Sequence, residues 1–385
     1  MNKQNLLAIH NLLNILSGNI QDECALKELD SALWKQMVEI SIEHHVNNLL
    51  YKRLKDTELA NYLAPNLTET LHFLYVKNTA KNLFSLQRLR EILLSLQKKG
   101  IPVLILKGVH LIEDVWEEVG LRNITDCDLL FRKADFERAI NHLLQKGYLD
   151  TCPQIDPHWH IEDDSIPVDL EGVWQRAESF DMQGVNALGL CTEDLILHLC
   201  LHCGYHHLFQ FIGLRTLLDI QQILKIKTIN FSALKDRARL WGMEKLLLLC
   251  LNLKKQLLDS NFLSFYIEEN ERKDETVEKW AVDQIFFRKD NIERISPFFL
   301  KLFSKETPIN YKIKCMKRLL FPPYEEVVHK YSDSCLSGKY IYIKRFLQKS
   351  VYYMGVGLKI LVNQESKKRA LEIKQLYKHK KRLLD

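Results

Sequence analysis

The hydrophobic periodicity of this chain changes at Gly100, and the change limits the folds that it can adopt. Before Gly100, apolar residues recur every three or four positions, most clearly over residues 32–54 and 71–99, as on the buried face of amphipathic helices. From about residue 100 to 180 the apolar runs are short and glycines separate them, and from about residue 185 the helical spacing returns. The pattern predicts an α+β chain in which a small mixed sheet lies between helical regions.

The middle region is predicted to alternate strands with helices. Asp30 is a candidate helix N-cap before this region, and Gly100 is a candidate stop for the helix that leads into it. The segment HWHIEDDSIPVDLEGVW (residues 158–174) is predicted to form two strands around a turn at residues 163–165. The other expected elements are a strand over 101–106, a helix over 109–118, a strand over 126–131 and a helix over 133–146.

Two aspartates lie one residue apart inside the apolar run of the second predicted strand. Alternate side chains of a strand point to the same face, so Asp126 and Asp128 face one way while Cys127 and Leu129 face the other. Two neighbouring carboxylates repel each other unless a cation lies between them. The spacing predicts a metal site at Asp126 and Asp128, although exposed acidic pairs on strands also occur without a metal.

A lysine and a glycine follow the first predicted strand, where a helix begins. The free N–H groups at the start of a helix can bind phosphate, and Gly108 lets a phosphate approach closely. Lys107 and Arg122 would add positive charge, although Lys107 also fits a surface lysine and Arg122 also fits a brace for the two aspartates. Asp169 is the candidate third carboxylate. Three such carboxylates would bind Mg²⁺ through oxygen ligands, with nucleotide phosphates at the remaining positions.

The amino-acid composition excludes few classes of protein function. A formal charge of +5 on 385 residues does not indicate a protein that binds nucleic acid through its overall charge. Nine cysteines without framework spacing predict reduced thiols and a cytoplasmic location. No apolar run reaches the roughly 18 residues that a membrane-spanning helix needs, so we expect no transmembrane segment.

Four segments of the chain resemble a known family. They are ILKG (residues 105–108), LRNITDCDLLF (121–131), KGY (146–148) and VDLEGVW (168–174). Together with the helical segments on either side, they resemble the uncharacterised bacterial nucleotidyltransferase family, a distant branch of the polymerase-beta-like superfamily. The resemblance implies a polymerase-beta-like nucleotidyltransferase palm with metal carboxylates at Asp126, Asp128 and Asp169 and a nucleotide-loop glycine at Gly108.

The resemblance also implies an activity and a division of the chain. The expected activity is transfer of a nucleoside monophosphate from an NTP to an acceptor (a small molecule, a protein or RNA), with Mg²⁺ or Mn²⁺ as cofactor. Asp126 and Asp128 would bind both ions, and Asp169 would bind one and help to deprotonate the acceptor. The expected regions are an N-terminal helical region (1–99), the palm (100–182), a helical domain packed on the palm (183–330) and C-terminal helices with a basic tail (331–385).

Two departures from the family pattern favour an alternative function. Val109 follows Gly108 where the wider superfamily has a residue that can contact the phosphate, and Glu171 stands where the family commonly has histidine. Glu171 would lie on the same strand face as Asp169, as an extra ligand or as a solvated charge. The alternative is a catalytically weak or inactive module that binds nucleotide or regulates a partner.

Two further segments allow more than one interpretation. His198, His202 and His206 are spaced at i, i+4 and i+8, which suggests zinc. However, on a straight α-helix they span about 12 Å, too far for one tetrahedral ion, so structural histidines that pack beneath the palm are favoured. The basic C-terminal helix (residues 367–384) can contact an anionic lipid or RNA or form a solvated end of the chain.

Overall fold

The first quarter of the chain is helical where the structure describes it, as its periodicity predicts. The structure, a computed structural model, describes residues 3–287 except residues 19, 21–22, 117, 150–153, 163–165, 260 and 272–275. The predicted C-terminal helix over 340–361 and the basic tail lie outside the described residues. The helices before the sheet are α1 (Lys3–Ser17), α2 (Glu23–Lys27), α3 (Ser31–Glu43), α4 (Asn47–Asp56) and α5 (Pro65–Lys98), with a short 3₁₀ turn at Leu59–Tyr62.

Both predicted helix ends are confirmed. The Asp30 carboxylate accepts a hydrogen bond from the Leu33 backbone N–H at 2.7 Å, which is the N-cap interaction at the start of α3. Gly100 follows the last residues of α5 with φ +61°, the left-handed conformation that ends many helices and favours glycine. Helix α5 therefore stops where the sheet begins.

The sheet has five strands in the described part of the chain. Its order is β3-β2-β1-β5-β4, with β1–β2 and β4–β5 antiparallel and β1–β5 and β2–β3 parallel. The strands are β1 (Leu104–Ile105), β2 (Asp126–Leu130), β3 (Gln154–His158), β4 (Glu178–Met182) and β5 (Val185–Gly189), and the helices between them are α6 (Lys107–Asp114), α7 (Phe136–Gln145) and α8 (Leu170–Gln175). The small mixed sheet expected from the sequence is thus present.

Three parts of the middle region differ from the sequence prediction. The strand expected between residue 158 and the turn at 163–165 lies earlier, as β3. Residues 170–175 form helix α8 and not a strand, because Asp169 caps this helix by accepting a hydrogen bond from the Gly172 backbone N–H at 3.0 Å. The hairpin of β4 and β5 was not predicted. Its two-residue turn has Gln183 at φ +52° and Gly184 at φ +77°, the positive values that tight hairpin turns require.

One face of the sheet is buried against helices. Cys127, Leu129 and Ile155 on the strands belong to one apolar cluster with Leu89 of α5 and Leu143 of α7. Because alternate strand residues face opposite ways, this burial turns the side chains of Asp126 and Asp128 towards the other face. The core of the middle region therefore fixes which face of the sheet is polar.

The chain returns to helices after β5. Gly242, with φ +64°, separates two of these helices. None of the helices in the described part is both long and apolar enough to cross a bilayer. The helices are α9 (Thr192–Cys200), α10 (Gly213–Ile226), α11 (Phe231–Leu240), α12 (Glu244–Lys254), α13 (Phe262–Glu271) and α14 (Val277–Phe286), with π-helical turns at Leu201–His206 and Lys255–Asp259.

Candidate active site

Strands β2 and β3 place two carboxylates side by side on the polar face of the sheet. The parallel register pairs Asp128 with Asp156, and Asp126 with Gln154. Paired residues of neighbouring strands share a face, so Asp126, Asp128 and Asp156 lie on the same side. Asp128 is the most enclosed position of the set, with 3% of its surface exposed.

Asp128 is held by two cationic groups. Lys107 Nζ donates to Asp128 Oδ1 at 3.0 Å, and His158 Nε2 lies 3.0 Å from the same oxygen. Burial alone would raise the pKa of Asp128, but the charge of Lys107 and the hydrogen bond from His158 hold that pKa well below its usual range. Asp128 is therefore an anion that already has positive charge around it.

His158 lies between two carboxylates. Its Nε2 atom is 3.4 Å from Asp156 Oδ2 as well as 3.0 Å from Asp128 Oδ1. Burial lowers the pKa of His158, but the hydrogen bonds to Asp128 and Asp156 outweigh burial and raise it to about 10. In the absence of another cation, protonated His158 neutralises the carboxylate pair.

Three of these side chains can share a metal ion. One ligand atom each from Asp128, Asp156 and His158 lies within 4.8 Å of the other two. Asp126, which was predicted to form the site with Asp128, lies on the same face but outside this group, and its carboxylate accepts a hydrogen bond from Thr125 Oγ1 at 2.8 Å. We call Lys107, Asp126, Asp128, Asp156 and His158 the carboxylate site.

The Lys107–Gly108 pair begins helix α6 beside the carboxylate site. Lys107 has φ +45°, a left-handed conformation that costs a lysine energy and is often found at functional sites. A Cβ atom on Gly108 would lie 2.9 Å from Arg122 Nη1. Any larger residue at position 108 would therefore require the Arg122 guanidinium to shift.

Arg122 forms a buried ion pair. Its Nε atom donates to Asp219 on α10 at 2.9 and 3.0 Å, and Trp116 Nε1 donates to the same carboxylate at 2.9 Å. Through these contacts Arg122 links the segment before β2 to helix α10. The assignment of Arg122 to NTP binding stays a prediction that these contacts do not support.

Helix α5 holds the segment that leads into β2. We call residues 119–124 the lead-in segment. Asn78 donates to the Gly120 carbonyl at 2.8 Å, Asn82 donates to the Val119 and Arg122 carbonyls at 2.6 and 2.7 Å, and Lys81 donates to the Ile124 carbonyl at 2.6 Å. Polar side chains of one helix thus satisfy the backbone of an irregular segment and fix the position of Asp126.

Asp169 does not join the carboxylate site. Its side chain is 51% exposed, caps α8 and lies 3.7 Å from Arg176 Nη1. Glu171 forms an exposed ion pair with Arg132 at 2.6 Å. The strand on which both residues were expected to share a face is absent, so the role of Asp169 as a metal ligand remains a prediction without a supporting contact.

A second polar cluster surrounds Glu162, next to the carboxylate site. The Glu162 side chain is 4% exposed, and its carboxylate lies 3.3 Å from His198 Nε2, 2.8 Å from His202 Nδ1 and 3.2 Å from His206 Nδ1. The π-helical turns at Leu201–His206 replace the straight helix that the sequence suggested, and the histidines converge on one carboxylate. We call Glu162, His198, His202, His206 and the neighbouring His207 the histidine cluster.

The two clusters interact electrostatically. Burial alone would raise the pKa of Glu162, but His202 and Lys107 hold it well below its usual range. Burial, reinforced by the charge of Lys107, lowers the pKa of His202 to about 4. Glu162 is therefore an anion and His202 a neutral imidazole at neutral pH.

Sequence reasoning missed Asp156, His158 and Glu162. Asp156 and His158 repeat the one-residue spacing of Asp126 and Asp128, which is a signal for a second polar strand face. Pro157 between them lowers the strand propensity of the segment and obscures this signal. Glu162 has no local signal, since its partners come from residues 198–206.

The chain matches one family model, described as an uncharacterised nucleotidyltransferase, over residues 30–259. The match covers more than half of the chain and includes both the carboxylate site and the histidine cluster. No curated protein and no solved structure gave a significant match. The chain therefore belongs to this family of uncharacterised nucleotidyltransferases.

Proposed function

We propose that this protein transfers a nucleoside monophosphate from an NTP to an acceptor in a reaction that depends on Mg²⁺ or Mn²⁺. The observation that carries the proposal is the register of β2 and β3, which sets Asp156 beside Asp128, next to Lys107 and the start of a helix. Family membership supports the same chemistry. The middle region is then a palm of the polymerase-beta type, with Asp156 in the position of the third carboxylate.

The donor set fits a divalent ion. Asp128 and Asp156 offer carboxylate oxygens, the ligands that Mg²⁺ and Mn²⁺ prefer. When an ion displaces the proton that His158 carries between these carboxylates, His158 adds an imidazole nitrogen that suits Mn²⁺ better than Mg²⁺. Asp126, on the same strand face, is available to a second ion or to the nucleotide-bound ion. Such ions, when bound, neutralise the charge that develops on the phosphates during transfer.

The residues of the chain have separate roles in this reaction. The acceptor oxygen forms a bond to the α-phosphorus, the bond between the α-phosphorus and the bridging oxygen breaks, and pyrophosphate leaves. Asp156, whose side chain is 43% exposed, accepts the proton of the acceptor. Lys107 supplies positive charge near the phosphates.

One observation favours the alternative function. Lys107 and His158 together already neutralise Asp128, so the carboxylate site can persist without an ion. A module that binds nucleotide weakly, or that regulates a partner, needs only such a stable polar site. Transfer of a nucleotidyl group to an acceptor distinguishes the enzyme from this alternative.

Labelled nucleotides test the proposal. Each of the four NTPs, labelled at the α or the γ position, is incubated with the protein, Mg²⁺ or Mn²⁺ and cell extract. The proposal predicts transfer of α label with release of pyrophosphate, and loss of transfer in Asp128→Asn. Transfer of γ label alone would establish a kinase, and metal-dependent NTP binding without any transfer would establish the alternative.

A further inference from the structure

Arg215 carries a partly desolvated guanidinium next to the candidate active site. The residue lies in the first turn of α10 and is partly exposed. Of its three guanidinium nitrogens, only Nε is buried without a hydrogen-bond partner among the described residues. The two terminal Nη nitrogens form no hydrogen bond in that part of the chain and are not fully buried, so a ligand can reach them.

Helix α10 places Arg215 beside the ion pair of Arg122. Arg215 lies four positions before Asp219, and side chains with this spacing are neighbours on one face of a helix. The Asp219 carboxylate, however, pairs with Arg122 and also accepts from Trp116 Nε1. Two guanidinium groups therefore share the surroundings of one carboxylate, and the group as a whole has an excess of positive charge.

The charge of Arg215 acts on the polar face of the sheet. Burial and then the charge of Arg122 lower the pKa of Arg215 to about 10, so it remains a cation at neutral pH. The charges of Asp219 and Asp126 oppose this decrease, which puts Arg215 within electrostatic range of Asp126. A desolvated guanidinium without an ion pair is unfavourable, and an anion bound by its terminal nitrogens would stabilise it.

Lys81 adds a second cation on the same side. Its Nζ atom donates to the Ile124 carbonyl at 2.6 Å, two residues before Asp126, and this neutral carbonyl leaves the lysine charge uncompensated. Desolvation and then the charges of Arg215 and Lys81 lower the pKa of His45, so both cations act on the same ring. Helices α5 and α10 thus bring positive charge to the start of β2 from two directions.

We propose that Arg215, together with Lys81, forms an anion-binding site beside Asp126 that holds the terminal phosphates of the NTP. The identity of the anion rests on the proposed function, in which these phosphates leave as pyrophosphate. The planar guanidinium fork of arginine matches the geometry of a phosphate. The site adjoins the start of α6, because a Cβ atom on Gly108 would lie 2.9 Å from Arg122 Nη1. It therefore favours a nucleoside triphosphate over a monophosphate.

Binding of inorganic tripolyphosphate to the full chain tests the proposal. Tripolyphosphate has the charged part of an NTP but no base, and calorimetry measures its affinity with and without Mg²⁺. We expect Arg215→Met, which removes the charge, to lower this affinity by about tenfold or more, the usual loss for a charge-assisted hydrogen bond. Arg215→Lys should lower it less, because lysine keeps the charge but not the fork. Asp126→Asn should raise the affinity measured without Mg²⁺, since it removes a nearby negative charge.

A matched control separates this site from the overall charge of the protein. Arg239→Met removes an exposed arginine of α11 and should leave the affinity unchanged. Arg215→Met should also keep or raise the urea concentration at the midpoint of unfolding, because it removes a desolvated charge. An arginine with a purely structural role would lower that midpoint when it is replaced.

Three results would overturn the proposal. They are unchanged tripolyphosphate affinity in Arg215→Met, equal losses in Arg215→Met and Arg239→Met, and a wild-type chain that binds no tripolyphosphate with or without Mg²⁺. Transfer of α label at the wild-type rate by Arg215→Met at subsaturating NTP would also exclude this site and leave the proposed function intact. Conversely, a chain that transfers no label but loses tripolyphosphate binding in Arg215→Met would still have the anion site.

Discussion

At the scale of single residues, Asp156 and Asp169 compete for the role of third carboxylate. Asp156 lies beside Asp128 in the register of the sheet, whereas Asp169 caps α8. Asp156→Asn should reduce transfer of α label by orders of magnitude and weaken Mn²⁺ binding, because it removes a ligand and the proton acceptor. Asp169→Asn should keep transfer within a few-fold, since asparagine caps a helix as well as aspartate does.

One result of comparing these two variants would contradict the assignment of Asp156 as the third carboxylate. Mn²⁺ affinity followed by paramagnetic resonance, together with label transfer, measures both roles. An inactive Asp169→Asn beside an active Asp156→Asn would restore the assignment made from the sequence. It would also mean that the segment around residue 169 changes structure when nucleotide binds.

The buried side chain of His44 should make the stability of the protein depend on pH. This residue follows α3, is 4% exposed, and lies against Phe286 with ring centroids 5.4 Å apart. Burial lowers the pKa of His44 to about 4, below its unfolded value of 6.5, so protonation favours the unfolded chain. The contribution of neutral His44 to the free energy of unfolding is fully present above pH 6.5 and is lost as the pH falls from 6.5 towards 4.

Protonation of His44 should lower the free energy of unfolding by about 1 kcal/mol for each pH unit in this range. Urea unfolding at several pH values between 7 and 4 measures it. His44→Phe keeps an aromatic ring but cannot be protonated, so its unfolding free energy should fall less steeply over this range. An unchanged slope in His44→Phe would show that other groups control acid unfolding.

At the scale of secondary-structure elements, α5 determines the conformation of the lead-in segment. Asn82 is fully buried, donates to two carbonyls of that segment and accepts from the Ile124 backbone N–H at 3.3 Å. Asn82→Ala should destabilise the protein by about 1–3 kcal/mol, because it leaves buried backbone groups without partners. It should also weaken NTP binding, since β2 begins where the lead-in segment ends.

A matched control lies on the same helix. Thr70 is exposed and bonds only within α5, to the Asn66 carbonyl, so Thr70→Ala should change stability by no more than about 0.5 kcal/mol. Urea unfolding and NTP titration of both variants make the comparison. Equal effects from the two substitutions would exclude a special role for Asn82.

Local patterns in the sequence predicted most of the helices and the first two strands, but not the β4–β5 hairpin, helix α8 or how the elements meet. The apolar face of β2, the N-cap at Asp30 and the helix stop at Gly100 depend on neighbouring residues and could be predicted. The pairing of β2 with β3 joins residues 28 positions apart along the chain, so Asp156 could not be placed beside Asp128 from local pattern alone. The prediction of a strand at residues 168–174 was wrong for another reason, because an aspartate before an apolar run fits both a strand end and a helix N-cap.

At the scale of the whole molecule, the sheet depends on residues from outside the region (100–182) in which the sequence predicted it. Leu89 and Leu96 of α5 belong to the same apolar cluster as Leu129 and Phe131 of the sheet region. A fragment of residues 100–190 should therefore be unfolded, with little dispersion in its amide proton spectrum. A fragment of residues 65–190, which adds α5, should be the more ordered of the two, and equal disorder in both would contradict this dependence.

The bonds from α5 to the lead-in segment also have a consequence for synthesis on the ribosome. Asn78 precedes its partner Gly120 by 42 residues, an interval of about 2–8 s at 5–20 residues per second. A helix forms within about a microsecond, so α5 can be complete before the lead-in segment leaves the exit tunnel. A circular permutant in which α5 is made last would keep every native contact but would lack this template during translation, and its yield of correctly folded chain should fall although its stability does not.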